Sequence, residues 1–127
     1  MCIIGGVLTP TQRMHPYLAQ EDLKAYCDAK GIRLVAYTAT GTSSSETTPG
    51  LVLTQIPNTG YSGVLTNPLI VELAAKYGVT PAQVVLAWHL ARGVGVVPKS
   101  AHPQRQKDNL NVSCCSFRKM AYGPLPL

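Results

Sequence analysis

The sequence predicts an α/β fold, and three observations carry that expectation. Two short segments, IRLVAY at 32–37 and VGVV at 94–97, are β-branched and apolar at nearly every position, as strands buried on both faces are. They alternate with stretches of helical spacing, in the order helix, strand, long loop, two helices, strand, helix. Strands separated by helices pair in parallel. The helix ends are also marked, by Asn, Thr, Pro and Gly at the positions where caps are needed.

The first helix is expected over 19–30, after Pro16. Leu23 and Cys27 lie four apart with Tyr26 beside them, giving one apolar stripe. Glu21 and Asp22 suit the positive end of the helix dipole, and Gly31 is placed as a terminating glycine. Strand 32–37 follows. Residues 38–66 are rich in Gly, Ser, Thr, Pro and Asn, and a loop of this length is functional or disordered. Within it, residues 41–45 suit a phosphate loop and a flexible loop equally. Asn67-Pro68 opens the second helix as N-cap and first helical residue. Leu69, Ile70, Leu73, Ala74 and Tyr77 keep its spacing, and Gly78 ends it. Thr80-Pro81-Ala82-Gln83 is a capping box for a third helix to about Arg92, closed by Gly93. Gly93-Val94-Gly95 reads as a helix-to-strand turn, since a dinucleotide fingerprint needs a third glycine and a preceding strand. Pro103 opens a last helix to Leu110, and periodicity ends after Val112. Two strands do not make a stable parallel sheet, so a third is required. Residues 2–8 are the candidate, weakened by Gly5-Gly6.

A chain of 127 residues suits one domain and is too short for a whole eight-fold β/α barrel, which takes roughly 250. Apolar residues make up 46% and charged residues 13%, which argues against a disordered chain. The net charge of +5 is thinly spread, with no basic run beyond Arg118-Lys119. That implies a weak preference for anionic ligands and no nucleic-acid partner. Cys2, Cys27, Cys114 and Cys115 form no C-x-x-C pair, so reduced thiols in a cytoplasmic protein are expected and no metal site. The apolar run 84–90 is interrupted by His89 and is too short to cross a membrane. His15, His89 and His102 read as structural histidines and Trp88 as core.

The sharpest cluster is Lys99 and Ser100, then Arg105 and Asn109. In parallel α/β folds ligands gather at the carboxyl ends of strands, where Lys99 and Ser100 stand. A helix start at Pro103 offers free N–H groups to an anion, and residues four apart share a helix face. Together they describe a phosphate site. Spacing alone fits equally a solvated helix start that carries two cations.

His15-Pro16-Tyr17-Leu18, Gly31-Ile32 leading to Ala36-Tyr37, Thr80-Pro81-Ala82-Gln83-Val84, and Val97-Pro98-Lys99-Ser100 with Pro103, Arg105 and Asn109 together resemble the C-terminal part of the aldo-keto reductase family. The resemblance covers 15–112, with atypical segments at 1–14 and 113–127. It implies the last two to three β/α units of a partial (β/α)8 TIM barrel, NADP(H) as cofactor and a small carbonyl compound as substrate. Tyr37 is then the residue that stacks on the nicotinamide, with Thr38 and Gly41 following toward the phosphates. Lys99, Ser100 and Arg105 hold the adenosine 2′-phosphate, and Asp108 and Asn109 face the adenine.

The departures from the family pattern matter as much. Its catalytic Asp, Tyr, Lys and His have no counterpart in this chain, so no catalytic residue is assigned and the isolated chain is expected to be inactive. The carboxamide-holding Gln falls at Thr11, with Gln12 one residue off register, and a one-residue slip in a strand turns a side chain to the opposite face. Arg13 replaces an expected carboxylate, Ala39 and Thr40 replace Pro and Leu, and His102 stands where a capping Thr or Ser is usual. Two other readings remain beside the enzyme: a non-catalytic half-barrel that binds NADP(H) weakly or self-associates through strand edges, or a coding sequence that lacks its upstream part.

Overall fold

Three parallel strands and the helices on one of their faces organise the chain. In this computed structural model the described residues are 2–4, 7–41 and 63–114, with side chains described from Pro10 to Val112. The interior of the long loop, including 42–45 of the phosphate-loop candidate, and the tail from 115 lie outside them.

The elements run β1 (Cys2–Ile4), β2 (Val7–Thr9), β3 (Thr11–Arg13), α1 (Glu21–Ala29), β4 (Val35–Tyr37), α2 (Pro68–Tyr77), α3 (Pro81–Ala91), β5 (Gly95–Val96) and α4 (Pro103–Leu110), then a 3₁₀ turn at Asn111–Cys114. The expected α/β alternation and parallel pairing are present. Strand order is β3-β4-β5, with Thr11 opposite Val35, Arg13 opposite Tyr37, and Val35 opposite Gly95.

The third strand is Thr11–Arg13, and this corrects the expectation that residues 2–8 would supply it. Strands β1 and β2 instead pair antiparallel with each other, Cys2 opposite Thr9 and Ile4 opposite Val7. Two runs separated by two residues can pair only this way, because a parallel pair needs a long crossover. Thr-Gln-Arg carries no apolar alternation, so its pairing is imposed by neighbouring backbone: Val35 N–H donates to Pro10 O at 3.2 Å.

Leu34, Ala36 and Val94 turn one face of the sheet toward Val84, Val85 and Leu86 of α3 and Ile70 and Ala74 of α2. Helix α1 adds Cys27, buried, and Leu23, half-buried, but Tyr26 is exposed and does not extend the stripe. One residue is a 100° turn of a helix, which carries Tyr26 off the buried face.

Helix starts follow their sequence signals. Asn67 Oδ1 accepts from Leu69 N–H at 2.9 Å, and its Nδ2 donates to Tyr17 Oη at 2.6 Å, tying the His15–Leu18 turn to α2. Gly78 ends α2 at φ 63°, a conformation that side chains with a Cβ avoid. At α3 the capping box is complete: Thr80 Oγ1 accepts from Gln83 N–H at 3.2 Å and Gln83 Oε1 accepts from Thr80 N–H at 2.9 Å. Gln83 Nε2 also donates to Asp108 O at 3.0 Å, fastening the far end of α4. Arg92, just past α3, stacks on Trp88 at 4.3 Å, donates to Ala19 O at 3.1 Å and meets Glu21 at 2.9 Å. Among the described residues no single helix is long and apolar enough to cross a membrane.

Gln83 is 7% exposed, so removing its amide strands a donor at Thr80 and an acceptor at Asp108. Gln83→Leu is expected to lower stability by about 2 kcal/mol, read as a lowered urea midpoint at unchanged slope.

Candidate functional site

The loops that leave the carboxyl ends of β4 and β5 meet the starts of α3 and α4 around a pocket of about 390 Å³. Thr40 enters from the turn after β4 and Leu65 from the turn before α2. Thr80, Pro81 and Ala82 form the start of α3, Pro98, Lys99 and Ser100 follow β5, and Arg105, Asp108 and Asn109 project from α4. Five of the residues singled out in the sequence therefore line one pocket: Lys99, Ser100, Arg105, Asp108 and Asn109. Lys99 and Arg105 are exposed, while Asp108 and Asn109 are half-buried. Helix periodicity explains the grouping on α4, where 105, 108 and 109 recur at the spacing of one face.

The start of α4 is open. Its N-cap, His102, makes no side-chain cap hydrogen bond. Ser100 stands in front of it: His102 N–H donates to Ser100 Oγ at 3.1 Å, and Gln106 Nε2 donates to Ser100 O at 2.7 Å. These bonds hold Pro98–Ser100 against the first turn of α4, whose N–H groups and dipole favour an anion. Two cations, a hydroxyl and a helix start thus stand around one pocket, groups of the kind that interact favourably with anions.

Tyr37, Thr38 and Gly41 do not line this pocket. They form the strand end beside it. Tyr37 is exposed over 39% of its surface, and the Arg13 guanidinium lies 5.8 Å from its ring centre, as their register predicts. Thr11 shares that face, while Gln12 pairs with buried Ala36 and turns toward the core side; the one-residue slip read in the sequence has this consequence. Thr38 adopts φ 50°, costing a β-branched residue about 1–2 kcal/mol. Its buried Oγ1 has no hydrogen-bond partner among the described residues. Gly41, at φ 82°, donates its N–H to Thr38 O at 2.8 Å and closes the turn.

Beneath that turn lies a residue read in the sequence only as structural. His89 of α3 is fully buried, and its Nε2 stands 3.3 Å from Ala39 O. Burial pushes its pKa down to about 4; the Ala39 carbonyl raises it, and the Arg92 and His15 charges lower it further. His15 is also shifted down, by burial and then by Arg13. His102 is exposed at the start of α4. Among the described residues no three His, Cys, Asp or Glu side chains gather as a metal site.

Sequence reasoning did not find Thr40, Leu65 or the start of α3 as pocket walls. Thr80-Pro81 signalled where α3 begins, but not that its beginning faces α4.

The model of the aldo/keto reductase family matches residues 8–123. The chain belongs to the aldo/keto reductase family. Aldo-keto reductase family 1 member A1-A of Danio rerio is 37% identical to it over 99 residues, covering 77% of this chain and 28% of that protein. A probable NAD(P)H-dependent D-xylose reductase of Aspergillus terreus is 39% identical over 78% of this chain and 29% of its own length. 2,5-Diketo-D-gluconic acid reductase B of a Corynebacterium species gives the same three figures. A point mutant of Gox0644, solved in complex with NADPH, superposes with a TM-score of 0.64 at 30% identity, covering 84% of this chain and 32% of that one. This aldo/keto reductase chain thus spans under a third of the length of the curated relatives it matches.

The His89 shift fixes a pH dependence. An unfolded histidine takes up its proton near pH 6.5, whereas folded His89 does so only near pH 4. Its contribution to stability is therefore complete above pH 6.5 and is lost as pH falls from 6.5 to 4. Between pH 7 and pH 5 the loss is about 2 kcal/mol. Urea unfolding at the two pH values should show it, with a clearly smaller drop in His89→Gln.

Proposed function

We propose that this chain forms the adenosine-phosphate end of an NADPH site in an aldo/keto reductase, within the closing β/α units of a (β/α)8 barrel spanning 15–112, and that the reaction class is reduction of a small-molecule aldehyde or ketone. The observation that carries the reading is the convergence of Lys99, Ser100 and Arg105 at the open start of α4. That donor set fits a 2′-phosphate: a dianion is best met by fixed cations and a guanidinium fork. The match to reductases, and to one structure solved with NADPH, supports it.

Each residue then has a task. Lys99 and Arg105 neutralise the phosphate. Ser100 Oγ accepts from His102 N–H at 3.1 Å and donates a long hydrogen bond of 3.5 Å to His102 O; its hydroxyl can exchange that long bond for one to an oxygen of the anion. Asp108 and Asn109, half-buried beside them, receive the adenine edge. Tyr37, Thr38 and Gly41 carry the strand end along the rest of the cofactor, and the Tyr37 ring offers a stacking face for the nicotinamide that Arg13 shares. The chemistry such a cofactor brings is two-electron reduction of a carbonyl. Proton transfer to the carbonyl oxygen needs a positioned acid, and no residue of this chain is assigned that role. The 127-residue chain by itself is accordingly a binding unit of a cytoplasmic reductase and not a catalyst. A second reading, self-association, rests on β3 and β5, which each pair on one side only among the described residues.

Arg105→Ala should raise the Kd for NADPH about tenfold and leave that for NADH nearly unchanged, since one charge-assisted contact to the extra phosphate is lost. Isothermal titration of both nucleotides checks this, and equal losses for the two would overturn the assignment. The chain without further polypeptide should consume no NADPH with a simple aldehyde.

A further inference from the structure

The geometry points to His89 as a positioning residue that holds the turn after β4 in its strained, pocket-forming shape. The turn runs from Tyr37 through Thr38 and Ala39 to Thr40 and Gly41. Thr38 sits at φ 50°, a conformation that β-branched residues avoid. Its own hydroxyl does not compensate, because Oγ1 is buried with no hydrogen-bond partner among the described residues. Such a conformation persists only where its surroundings over-determine it. Two bonds do so. One is local, Gly41 N–H to Thr38 O at 2.8 Å. The other comes from 50 residues away in sequence, His89 Nε2 to Ala39 O at 3.3 Å.

The helix that carries His89 is itself immobilised. Val84, Val85, Leu86 and Trp88 are buried around it, and Arg92 clamps its end to Ala19 and Glu21. The imidazole thus transmits a fixed position from α3 to Ala39. Its position matters for the pocket because the next residue, Thr40, is part of the wall that faces Lys99, Ser100 and Arg105. A carbonyl can only accept, so Nε2 must carry the proton, and Nδ1, which has no partner among the described residues, must be bare. Burial disfavours a second proton most, and the groups facing His89, Arg92 of its own helix and His15, disfavour it further against the opposing pull of the Ala39 carbonyl; the ring stays neutral. That the turn serves a cofactor rests on the function proposed above. That His89 holds the turn does not.

The test therefore begins without ligand. Long-range ¹H–¹⁵N spectra of the 127-residue chain at about pH 7, well above the range near pH 4 in which His89 takes up a second proton, should show His89 as the Nε2–H tautomer; an Nδ1–H tautomer would overturn the proposal outright. Amide exchange at Gly41 should quicken about tenfold in His89→Leu, with little change in His89→Gln, whose side-chain amide can still donate. Adding Thr38→Gly to His89→Leu should restore protection, because glycine takes a positive φ without strain. Unchanged Gly41 exchange in a folded His89→Leu variant, or no rescue by either substitution, counts against it. Adenosine 2′,5′-bisphosphate is then titrated into the same variants, with affinity expected to fall severalfold in His89→Leu and recover in the rescued form. If the unaltered chain binds no bisphosphate, the proposed function fails while the tautomer and exchange results still decide the role of His89.

Discussion

Helix α3 is buried along seven consecutive residues, Gln83 to His89, so it has no polar face to turn to water. A polar side chain on a helix that is buried all round finds its hydrogen-bond partners inside the protein or goes without. Gln83 and His89 each reach a backbone carbonyl on another element, Asp108 O in α4 and Ala39 O in the turn after β4, whereas Trp88 Nε1 is buried without a hydrogen-bond partner among the described residues. The burial of one helix thereby sets the positions of the two segments that form the pocket. Its third fastening, Arg92 on Trp88 and Ala19, ties the same helix to the start of α1. The Glu21 arm of that clamp is exposed and contributes little; the desolvated stacking and the carbonyl contact carry it.

The pocket is consequently a product of tertiary spacing more than of any loop's own preference. Ser100 and Arg105 lie on a strand exit and a helix start, and local sequence suffices to bring them near each other. Thr40 and Thr80 arrive from 60 and 20 residues upstream of Ser100, and they close the pocket only because α3 stands between sheet and α4. The cations sit at an exposed rim, while the carbonyl-bound residues beneath are dry. Charge stands where water reaches it, and neutral hydrogen bonds stand where burial makes ions expensive.

Legibility in the sequence follows the same division. Asn67-Pro68, Thr80–Gln83, Gly78 and Gly93 marked their helix ends correctly, because a cap is a contact between residues two to four apart. The pairing of Thr11–Arg13 was not legible: three polar residues carry no periodicity, and their partner strand lies 24 residues on. Tyr26 reads as part of an apolar stripe from its place beside Leu23 and Cys27, though the 100° step of a helix carries it outward to 61% exposure. The motif Pro98–Ser100 with Arg105 and Asn109 was legible as a cluster, since strand exit and helix face are local geometry.

What the sequence by itself determined, then, is the α/β alternation, the caps, and the grouping of Lys99, Ser100, Arg105 and Asn109, all of which depend on neighbours within a turn or two. What only the tertiary structure decided is the third strand, the far wall of the pocket and the contact of His89 with Ala39. The strand depends on pairing with residues 24 positions on, and the other two on hydrogen bonds to carbonyls 25 and 50 residues distant. A backbone carbonyl is chemically the same at every residue, so no side-chain pattern announces which one a buried Gln or His will find.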